Sequence, residues 1–327
     1  MDWNRQTVLV TGAGGFIGSH LAERLVELGA KTRALVEYNS NNSWGWIDES
    51  TVKHEITVTL GDIRDPESMR QAFENIDIVF HLAALIAIPY SYRAPQSYVS
   101  TNISGTLNVL QEANSGGADL VVHTSTSEVY GSAGYVPMDE AHPIQSQSPY
   151  SASKTAADEM AKAFHLSFGL PVSIIRPFNT FGPRQSSRAV IPTIITQALA
   201  GDSVQLGSLT PSRDFNYVAD TVEGFIRIAE CPAAVGQVVN VGSGREITIG
   251  DLASTILSLT GSNVPIVEDP QRVRPENSEV DRLCADSTKA KELLGWGPEY
   301  SLEEGLSETI EWVRKNSDRF KTGVYSI

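Results

Sequence analysis

The sequence predicts an α/β fold, a doubly wound parallel sheet with a smaller, non-contiguous C-terminal lobe. The first observation behind this prediction is the opening of the chain, where a strand pattern, a glycine-rich turn and a helix pattern follow one another. The second is that short apolar strand patterns alternate with helix patterns as far as Asn179, as in parallel sheets covered by helices on both faces. The third is that proline and glycine interrupt this alternation after Asn179, where we expect the smaller lobe to begin. The 327 residues suffice for one large domain or two unequal ones.

The first unit predicts a dinucleotide site. Residues 6–11 have the pattern of a buried strand, and residues 19–28 have that of an amphipathic helix. The turn between them has the spacing G-x-x-G-x-x-G. Such a turn lets a pyrophosphate approach the free N–H groups at the helix N-terminus, as in Rossmann-type folds. The residues of this turn expected at the cofactor are Gly12, Gly15, Phe16, Ile17 and Gly18.

The acidic residue after the second strand favours NAD over NADP. The predicted strand covers residues 31–36, and Glu37 ends it. An acid in this position would bind the ribose hydroxyls of the adenosine and repel a 2′-phosphate. Two alternatives stay open: Glu37 is only a solvated carboxylate, or the polar residues 38–42 accommodate a phosphate.

Further units continue the alternation and extend the predicted cofactor site. We expect strands over residues 57–60 and 76–80 and a helix over residues 99–113. The residues that follow these strands lie where open α/β sheets bind their ligands. His81, beside apolar residues, is expected to be structural. The candidate cofactor contacts in this part are Asp62, Ile63, Leu82, Ala83, Ala84 and Asn102.

Tyr150 and Lys154 form a catalytic pattern for alcohol oxidation. They are four residues apart on a helix predicted over residues 150–168, so they share one face. We expect the charge of Lys154 to lower the pKa of Tyr150. The resulting phenolate can take a proton from an alcohol.

The triplet Thr126-Ser127-Glu128 adds a second acid–base group. It follows a strand predicted over residues 120–122, at the edge of the sheet where ligands bind. Thr126 can hydrogen-bond the same alcohol as Tyr150, and Glu128 offers a carboxylate that simple oxidation does not need. The alternative is that Glu128 only hydrogen-bonds backbone at the strand end. The combination predicts oxidation followed by a further proton transfer.

The composition argues against several classes of partner. The net charge of −14 speaks against non-specific binding to nucleic acid or to anionic membranes. No apolar run is long enough to span a bilayer, and the polar N-terminus offers no signal peptide, so we expect a cytoplasmic protein. Cys231 and Cys284 lack the spacing of metal ligands, and no metal is expected.

Together these motifs resemble the extended short-chain dehydrogenase/reductase superfamily. The likeness lies in the glycine turn, Asp62, residues 81–84, Asn102, the Tyr150/Lys154 pair and residues 176–179. Within it, Thr-x-Glu before Val-Tyr-Gly resembles the nucleotide-sugar 4,6-dehydratases, whereas sugar 4-epimerases usually lack the glutamate. Ser127 stands where the dTDP-glucose enzymes carry Asp, and Thr-Ser-Glu is similar to the GDP-mannose 4,6-dehydratases.

Three segments carry a narrower likeness. Residues 38–46, 84–92 and 184–193 resemble the N-acetylglucosamine 4,6-dehydratases of legionaminic-acid-type pathways. This resemblance implies a UDP- or GDP-linked N-acetylglucosamine as substrate, a 4-keto-6-deoxy sugar as product, and NAD as cofactor. The superfamily also implies a homodimer formed through the helices near residues 99–113 and 150–168.

The resemblance implies roles for the site residues. Tyr150 would take the proton from the sugar O4, with Thr126 orienting O4 and Lys154 holding the nicotinamide ribose. Glu128 would remove the C5 proton and also protonate the leaving hydroxyl, because a serine at position 127 is a poor acid. The resemblance adds Thr124 and Pro177 to the predicted cofactor contacts. The substrate contacts are Thr126, Asn179, Arg188, Val190, Gln205, Leu206, Arg213 and Arg274.

These expectations divide the chain into two lobes and leave rival functions open. Residues 1–179, joined by residues 214–244, would form the NAD domain, and residues 180–213 and 245–327 would bind the nucleotide sugar. The nearest rival is an NAD-dependent nucleotide-sugar 4-epimerase. Arrest at the 5,6-ene and C5 epimerisation with water loss are further enzymatic options. A non-catalytic NAD-sensing binding protein is the alternative from another class.

Overall fold

The computed structural model describes residues 1–320 and centres on one large sheet. The strands are β1 (Thr7–Thr11), β2 (Lys31–Val36), β3 (Thr57–Leu60), β4 (Ile78–His81), β5 (Leu120–Thr124), β6 (Val172–Pro177), β7 (Asn179–Phe181), β8 (Val204–Leu206), β9 (Ser212–Tyr217), β10 (Val238–Val241), β11 (Glu246–Thr248) and β12 (Ile266–Glu268). The large sheet has the order β10-β6-β5-β4-β1-β2-β3, and all its neighbouring strands are parallel. The predicted fold class is confirmed.

Helices cover both faces of this sheet. They are α1 (Phe16–Glu27), α2 (Pro66–Ala72), α3 (Ile88–Arg93), α4 (Pro95–Tyr98), α5 (Gly105–Gly116), α6 (Pro149–Phe168), α7 (Val190–Ala200), α8 (Val218–Glu230), α9 (Ile249–Thr260), α10 (Thr288–Leu294) and α11 (Leu302–Lys315). Because side chains alternate along a strand, Val8 and Val10 join the core beneath α1 and α8, while Leu9 joins the core beneath α2, α5 and α6. No helix within residues 1–320 is long and apolar enough to cross a membrane.

One predicted helix is interrupted. The helix expected over residues 99–113 is π-helical at Val99–Ser104, and α5 begins only at Gly105. At Gly105 an added Cβ would lie 2.6 Å from the Ile63 side chain. The π-helical segment therefore ends where the helix packs tightly against Ile63. Single π-turns within helices often occur at functional sites. Here the turn contains Asn102, whose contacts are described below.

The helix that carries Tyr150 and Lys154 has strong signals at both ends. Ser148 and Ser151 form a reciprocal capping box, and Pro149 occupies the first turn. Gly169 ends α6 with φ of +73°, a left-handed conformation that glycine adopts without a steric penalty. The sequence therefore fixes the start and the end of α6 independently of the rest of the fold.

The remaining elements form a third core outside the large sheet. Side chains from α7, α9, α11 and β8 pack together there. β10 pairs with β6, so the chain returns to the large sheet within residues 214–244, the segment expected to join the NAD domain. The division into two lobes at the predicted bounds stays a prediction, and residues 321–327 at its end lie outside the described residues.

Candidate active site

A single cleft at the carboxyl ends of the large sheet's strands brings the predicted site residues together. Its volume is about 1530 Å³. Ligand pockets for drug-sized molecules occupy roughly 300–1,000 Å³, so this cleft has room for a dinucleotide and a second ligand. All of the predicted site residues except Asn102 line it.

The glycine turn forms a cradle at one end of the cleft. Gly12 has φ of +71°, and an added Cβ would lie 2.9 Å from the backbone nitrogen of Ala83. At Gly18 an added Cβ would lie 2.3 Å from the carbonyl oxygen of Gly12, so a side chain would separate α1 from the turn. Gly15 is the N-cap of α1, whose first N–H groups are free to bind an anion. The residues present here suit a dinucleotide pyrophosphate.

An arginine that the sequence analysis missed lies between the two predicted adenosine-side acids. Arg64 Nε donates to Asp62 Oδ1 at 2.9 Å, and Arg64 lies 3.5 Å from Glu37 Oε1. The hydrogen bonds and charge of Arg64 lower the pKa of Asp62. One cation faces two carboxylates, so the local charge stays negative and still opposes a 2′-phosphate. The sequence offered one signal for this contact, since Arg64 follows Asp62 by two residues.

Asn102, a predicted cofactor contact, does not line the cleft. Its side-chain oxygen accepts from the Leu85 backbone at 2.8 Å, and its amide donates to the Leu85 carbonyl and to Ser153 Oγ, both at 2.9 Å. These bonds tie the segment after β4 to α6. A contact between Asn102 and the cofactor stays a prediction.

The predicted reaction centre comprises Tyr150 and Lys154, which both line the cleft and are buried. Lys154 Nζ donates to the Thr124 carbonyl at 2.6 Å, and burial lowers the pKa of Lys154 to about 8 while Asp158 opposes that shift. Burial raises the pKa of Tyr150, and its hydrogen bond with Thr126 acts in the opposite direction. Burial dominates this balance, and Lys154 is bonded to a carbonyl. The expectation that the charge of Lys154 lowers the pKa of Tyr150 stays a prediction.

Glu128 lies in the same part of the cleft and is only 8% exposed. It sits in the short helical turn Ser127–Tyr130 that follows β5, and Thr126 caps that turn by accepting from the Glu128 backbone at 3.3 Å. No described residue donates a hydrogen bond to its carboxylate. Its charge acts on both Tyr150 and Arg213, so it lies near both. The alternative that Glu128 only hydrogen-bonds backbone is thus wrong.

A buried charged network supports the reaction centre from behind. Asp158 accepts from Arg176 at 2.8 Å and from Ser125 at 2.6 Å, and His123 Nε2 lies 3.2 Å from it. Burial alone would raise the pKa of Asp158, but the bond with His123 and the charge of Arg176 hold it well below its usual range. Asp158 lies on α6 one helical turn beyond Lys154, while His123 lies on β5 and Arg176 on β6. The network therefore joins these three elements next to Lys154. The sequence analysis did not single out Asp158, since its partners are remote in the chain.

The far end of the cleft is rich in arginine. Arg213 and Arg274 both contact Glu279 Oε1, at 3.2 and 3.4 Å. Glu279 was missed, although an acid five residues after Arg274 is visible in the sequence. Asn179 Oδ1 and Gln185 Oε1, of two residues that line the cleft, are buried without a hydrogen-bond partner among the described residues. Such unpaired acceptors indicate a site shaped for a polar ligand.

The remaining predicted positions also line the cleft. Thr124 Oγ1 is buried and lacks a partner among residues 1–320, so it can accept or donate to a cofactor. The predicted cofactor contacts among them are Phe16, Ile17, Ile63, Leu82, Ala84 and Pro177. The others are Ser127, Arg188, Val190, Gln205 and Leu206, and the roles of both sets stay predictions. His81 is buried between Thr11 and Thr106, each 2.9 Å from a ring nitrogen, which confirms its structural role.

Comparison with known proteins extends this picture. The family model described as GDP-mannose 4,6 dehydratase matches residues 9–309. The chain is 35% identical to a UDP-N-acetyl-alpha-D-glucosaminuronate decarboxylase of Bacillus cytotoxicus, over 95% of this chain and 98% of that protein. It is 33% identical to a UDP-glucose 4-epimerase of Mycolicibacterium smegmatis, over 94% and 99%. A dTDP-glucose 4,6-dehydratase of Streptomyces antibioticus is 32% identical, over 94% and 92%.

Solved structures agree with the fold and with the cofactor. DesIV, a dTDP-glucose 4,6-dehydratase from Streptomyces venezuelae with NAD and TYD bound, has a TM-score of 0.86 and 29% identity, covering 96% of this chain and 99% of that one. MoeE5 in complex with UDP-glucuronic acid and NAD has a TM-score of 0.85 and 31% identity, covering 95% and 99%. The chain therefore belongs to the GDP-mannose 4,6-dehydratase family within the extended short-chain dehydrogenases/reductases, whose cofactor is NAD and whose substrates are nucleotide sugars.

Proposed function

We propose that this protein is a 4,6-dehydratase of a UDP- or GDP-linked N-acetylglucosamine. It would convert the sugar to its 4-keto-6-deoxy form with net loss of water. The observation that supports this proposal is Glu128, a buried carboxylate without a hydrogen-bond donor among residues 1–320, in the same cleft as Tyr150. Keeping a carboxylate without a donor in a largely buried position costs folding free energy, so its place in the cleft with Tyr150 supports a role in the reaction.

The first half of the reaction needs a base at the sugar O4. Tyr150 fills this role as a phenolate and Thr126, which hydrogen-bonds the phenol, helps to orient O4. NAD, when bound, would supply the hydride acceptor for C4 and the hydride donor for C6. Lys154 adds a positive charge one helical turn from Tyr150 and would hold the nicotinamide ribose. Since burial raises the pKa of Tyr150, we propose that its phenolate forms only when cationic groups surround it.

The second half eliminates water. The 4-ketone makes the C5 proton acidic, and the Glu128 carboxylate removes it. The C6 hydroxyl then leaves with that proton as water, because the Ser127 hydroxyl is too weak an acid to supply one at neutral pH. As C6 receives hydride, C5 would take a proton from solvent, and Tyr150 would release to solvent the proton taken from O4. One carboxylate thus serves first as base and then as acid.

The nucleotide end of the substrate would lie beyond this centre. We propose that Arg213 and Arg274 bind the diphosphate, because planar guanidinium groups can make paired hydrogen bonds to phosphate oxygens. Asn179, with its unpaired oxygen, would bind the sugar, and Arg188 would add a further positive charge. Val190, Gln205 and Leu206 would contact the base.

A nucleotide-sugar 4-epimerase is the second candidate, since relatives with that name are equally similar. It would use Tyr150, Lys154 and NAD but give Glu128 no task. The decarboxylase relative in turn acts, by its name, on an N-acetylglucosaminuronate. The three activities differ in what the substrate loses: water, nothing, or carbon dioxide.

The test is a mass measurement of the products. The NAD-loaded protein is incubated with UDP- and GDP-N-acetylglucosamine and with the matching N-acetylglucosaminuronates. Loss of water from an N-acetylglucosamine substrate supports the proposal. Unchanged mass with inversion at C4 supports the epimerase, and release of carbon dioxide from a uronate supports a decarboxylase.

We also propose the lobe division and a dimer. Residues 1–179 with 214–244 would bind NAD, and residues 180–213 and 245 onward would bind the nucleotide sugar. Two subunits would associate through the helices at residues 99–116 and 149–168. Light scattering coupled to size-exclusion chromatography measures the mass in solution, and a monomer would contradict the dimer.

A further inference from the structure

One wall of the cleft beside Tyr150 is apolar and exposed. Residues 83–89 are Ala, Ala, Leu, Ile, Ala, Ile and Pro, a run without a polar side chain. Ile86 is 64% exposed and Tyr90 is 37% exposed, and both line the cleft. An isoleucine this exposed on the wall of a sugar site needs an explanation, because hydroxyl groups gain nothing from an apolar surface. We call residues 85–90 the apolar wall.

The apolar wall is held rigidly. The Asn102 carboxamide binds both backbone groups of Leu85, at 2.8 and 2.9 Å, and at the same time Ser153 on α6. The Tyr98 hydroxyl donates to the Ala87 carbonyl at 2.5 Å. Ser153 directly precedes Lys154, so these bonds fix the wall relative to the reaction centre. A preorganised surface loses little entropy when a ligand binds to it.

The wall also contacts the catalytic tyrosine. Ile88 is buried in one cluster with Tyr98 and Tyr150. The rings of Tyr90 and Tyr98 lie 6.2 Å apart, and those of Tyr98 and Tyr150 lie 6.3 Å apart. A sugar whose O4 is bonded to Tyr150 therefore lies within reach of the wall with its neighbouring substituents.

We infer that the apolar wall receives the methyl group of a 2-acetamido substituent, and that Ile86 and Tyr90 select 2-acetamido sugars over sugars with a C2 hydroxyl. The inference rests on the proposed function. Before the reaction, the acetamido methyl is the apolar group that distinguishes N-acetylglucosamine from glucose. A glucose C2 hydroxyl placed against the wall would lose its hydrogen bonds to water and gain none from the apolar side chains.

The experiment compares two sugars that differ only at C2. The catalytic efficiency, kcat/KM, is measured for the N-acetylglucosamine and glucose forms of the same nucleotide, with wild type, Ile86→Asn and Ile144→Asn. Ile144 is 43% exposed and does not line the cleft, so it is the matched control. Dissociation constants of both nucleotide sugars for the NAD-loaded protein are measured by calorimetry. They show a binding preference for one sugar even if neither is turned over.

The wild type and Ile144→Asn should prefer the acetamido sugar. Ile86→Asn should lower that preference about fourfold, the factor that corresponds to ~0.8 kcal/mol for one buried methyl group. Equal losses for both sugars, or no wild-type preference, would overturn the inference. Absence of dehydration with a retained binding preference would count against the proposed function alone.

Discussion

The change Glu128→Gln separates the two halves of the proposed reaction. Glutamine keeps the shape of the side chain and removes its charge and its basicity. Since no described residue donates to the carboxylate, the fold loses no hydrogen bond. We therefore expect the free energy of unfolding to change by less than about 1 kcal/mol, within the range of substitutions that break no specific interaction.

The effect on catalysis should be large and confined to water loss. General acid–base groups contribute about 10²- to 10⁴-fold to a rate, or about 3–5 kcal/mol of the barrier. The charge of Glu128 raises the pKa of Tyr150, so its removal should favour the phenolate and move the pH dependence of sugar oxidation to lower pH. Substrate should thus still reduce bound NAD, while the dehydrated product nearly disappears.

Two assays on the same variant measure these effects. Absorbance of the reduced nicotinamide after rapid mixing reports oxidation at C4, and mass spectrometry of the quenched mixture reports water loss. Glu74→Gln, an exposed change away from the cleft, is the charge control, and Tyr150→Phe should abolish both signals. Dehydration at the wild-type rate in a folded Glu128→Gln protein would refute the assigned role.

Three further predictions concern the surrounding residues. Ser127→Ala should slow water loss by no more than roughly tenfold, the worth of one hydrogen bond; a 10²-fold loss in product assays would mean that Ser127 transfers a proton. Asp158→Asn should destabilise the fold by about 3–5 kcal/mol, because it leaves Arg176 buried without its partner. The pKa of Asp158 is lowered in the fold, so its stabilisation is present above about pH 4 and is lost as pH falls further, which denaturant titrations at several pH values would measure. Lys154, with a pKa lowered to about 8, loses its charge above that pH, so sugar oxidation should decline there, and a Lys154→Met protein should keep a residual rate without this decline.

Local signals made the first half of the fold predictable. The strands over residues 31–36 and 57–60 match β2 and β3, because each apolar run is bounded by turn residues next to it in the chain. The caps of α6 are equally local, since Ser148, Pro149 and Gly169 act on their own helix. The cleft residues followed from the same logic, because parallel strands place their carboxyl ends at one edge.

Contacts between distant residues could not be predicted in this way. Asn102 was expected at the cofactor, but the π-turn that contains it directs its amide to Leu85 and Ser153. The pKa of Tyr150 depends on its burial, which no spacing of Tyr and Lys reveals. Likewise, Glu279 bridges Arg213 and Arg274 only because the segment near residue 279 folds back across the cleft.

The most direct test of the central claim is a reaction in deuterated water. If Glu128 removes the C5 proton, the product must lose water and gain one solvent deuteron at C5, which mass spectrometry and proton magnetic resonance detect together. We predict this pairing with N-acetylglucosamine linked to UDP or GDP, and its absence with Glu128→Gln. A product of unchanged mass, with C4 inverted and the original proton still at C5, would contradict the account and identify an epimerase.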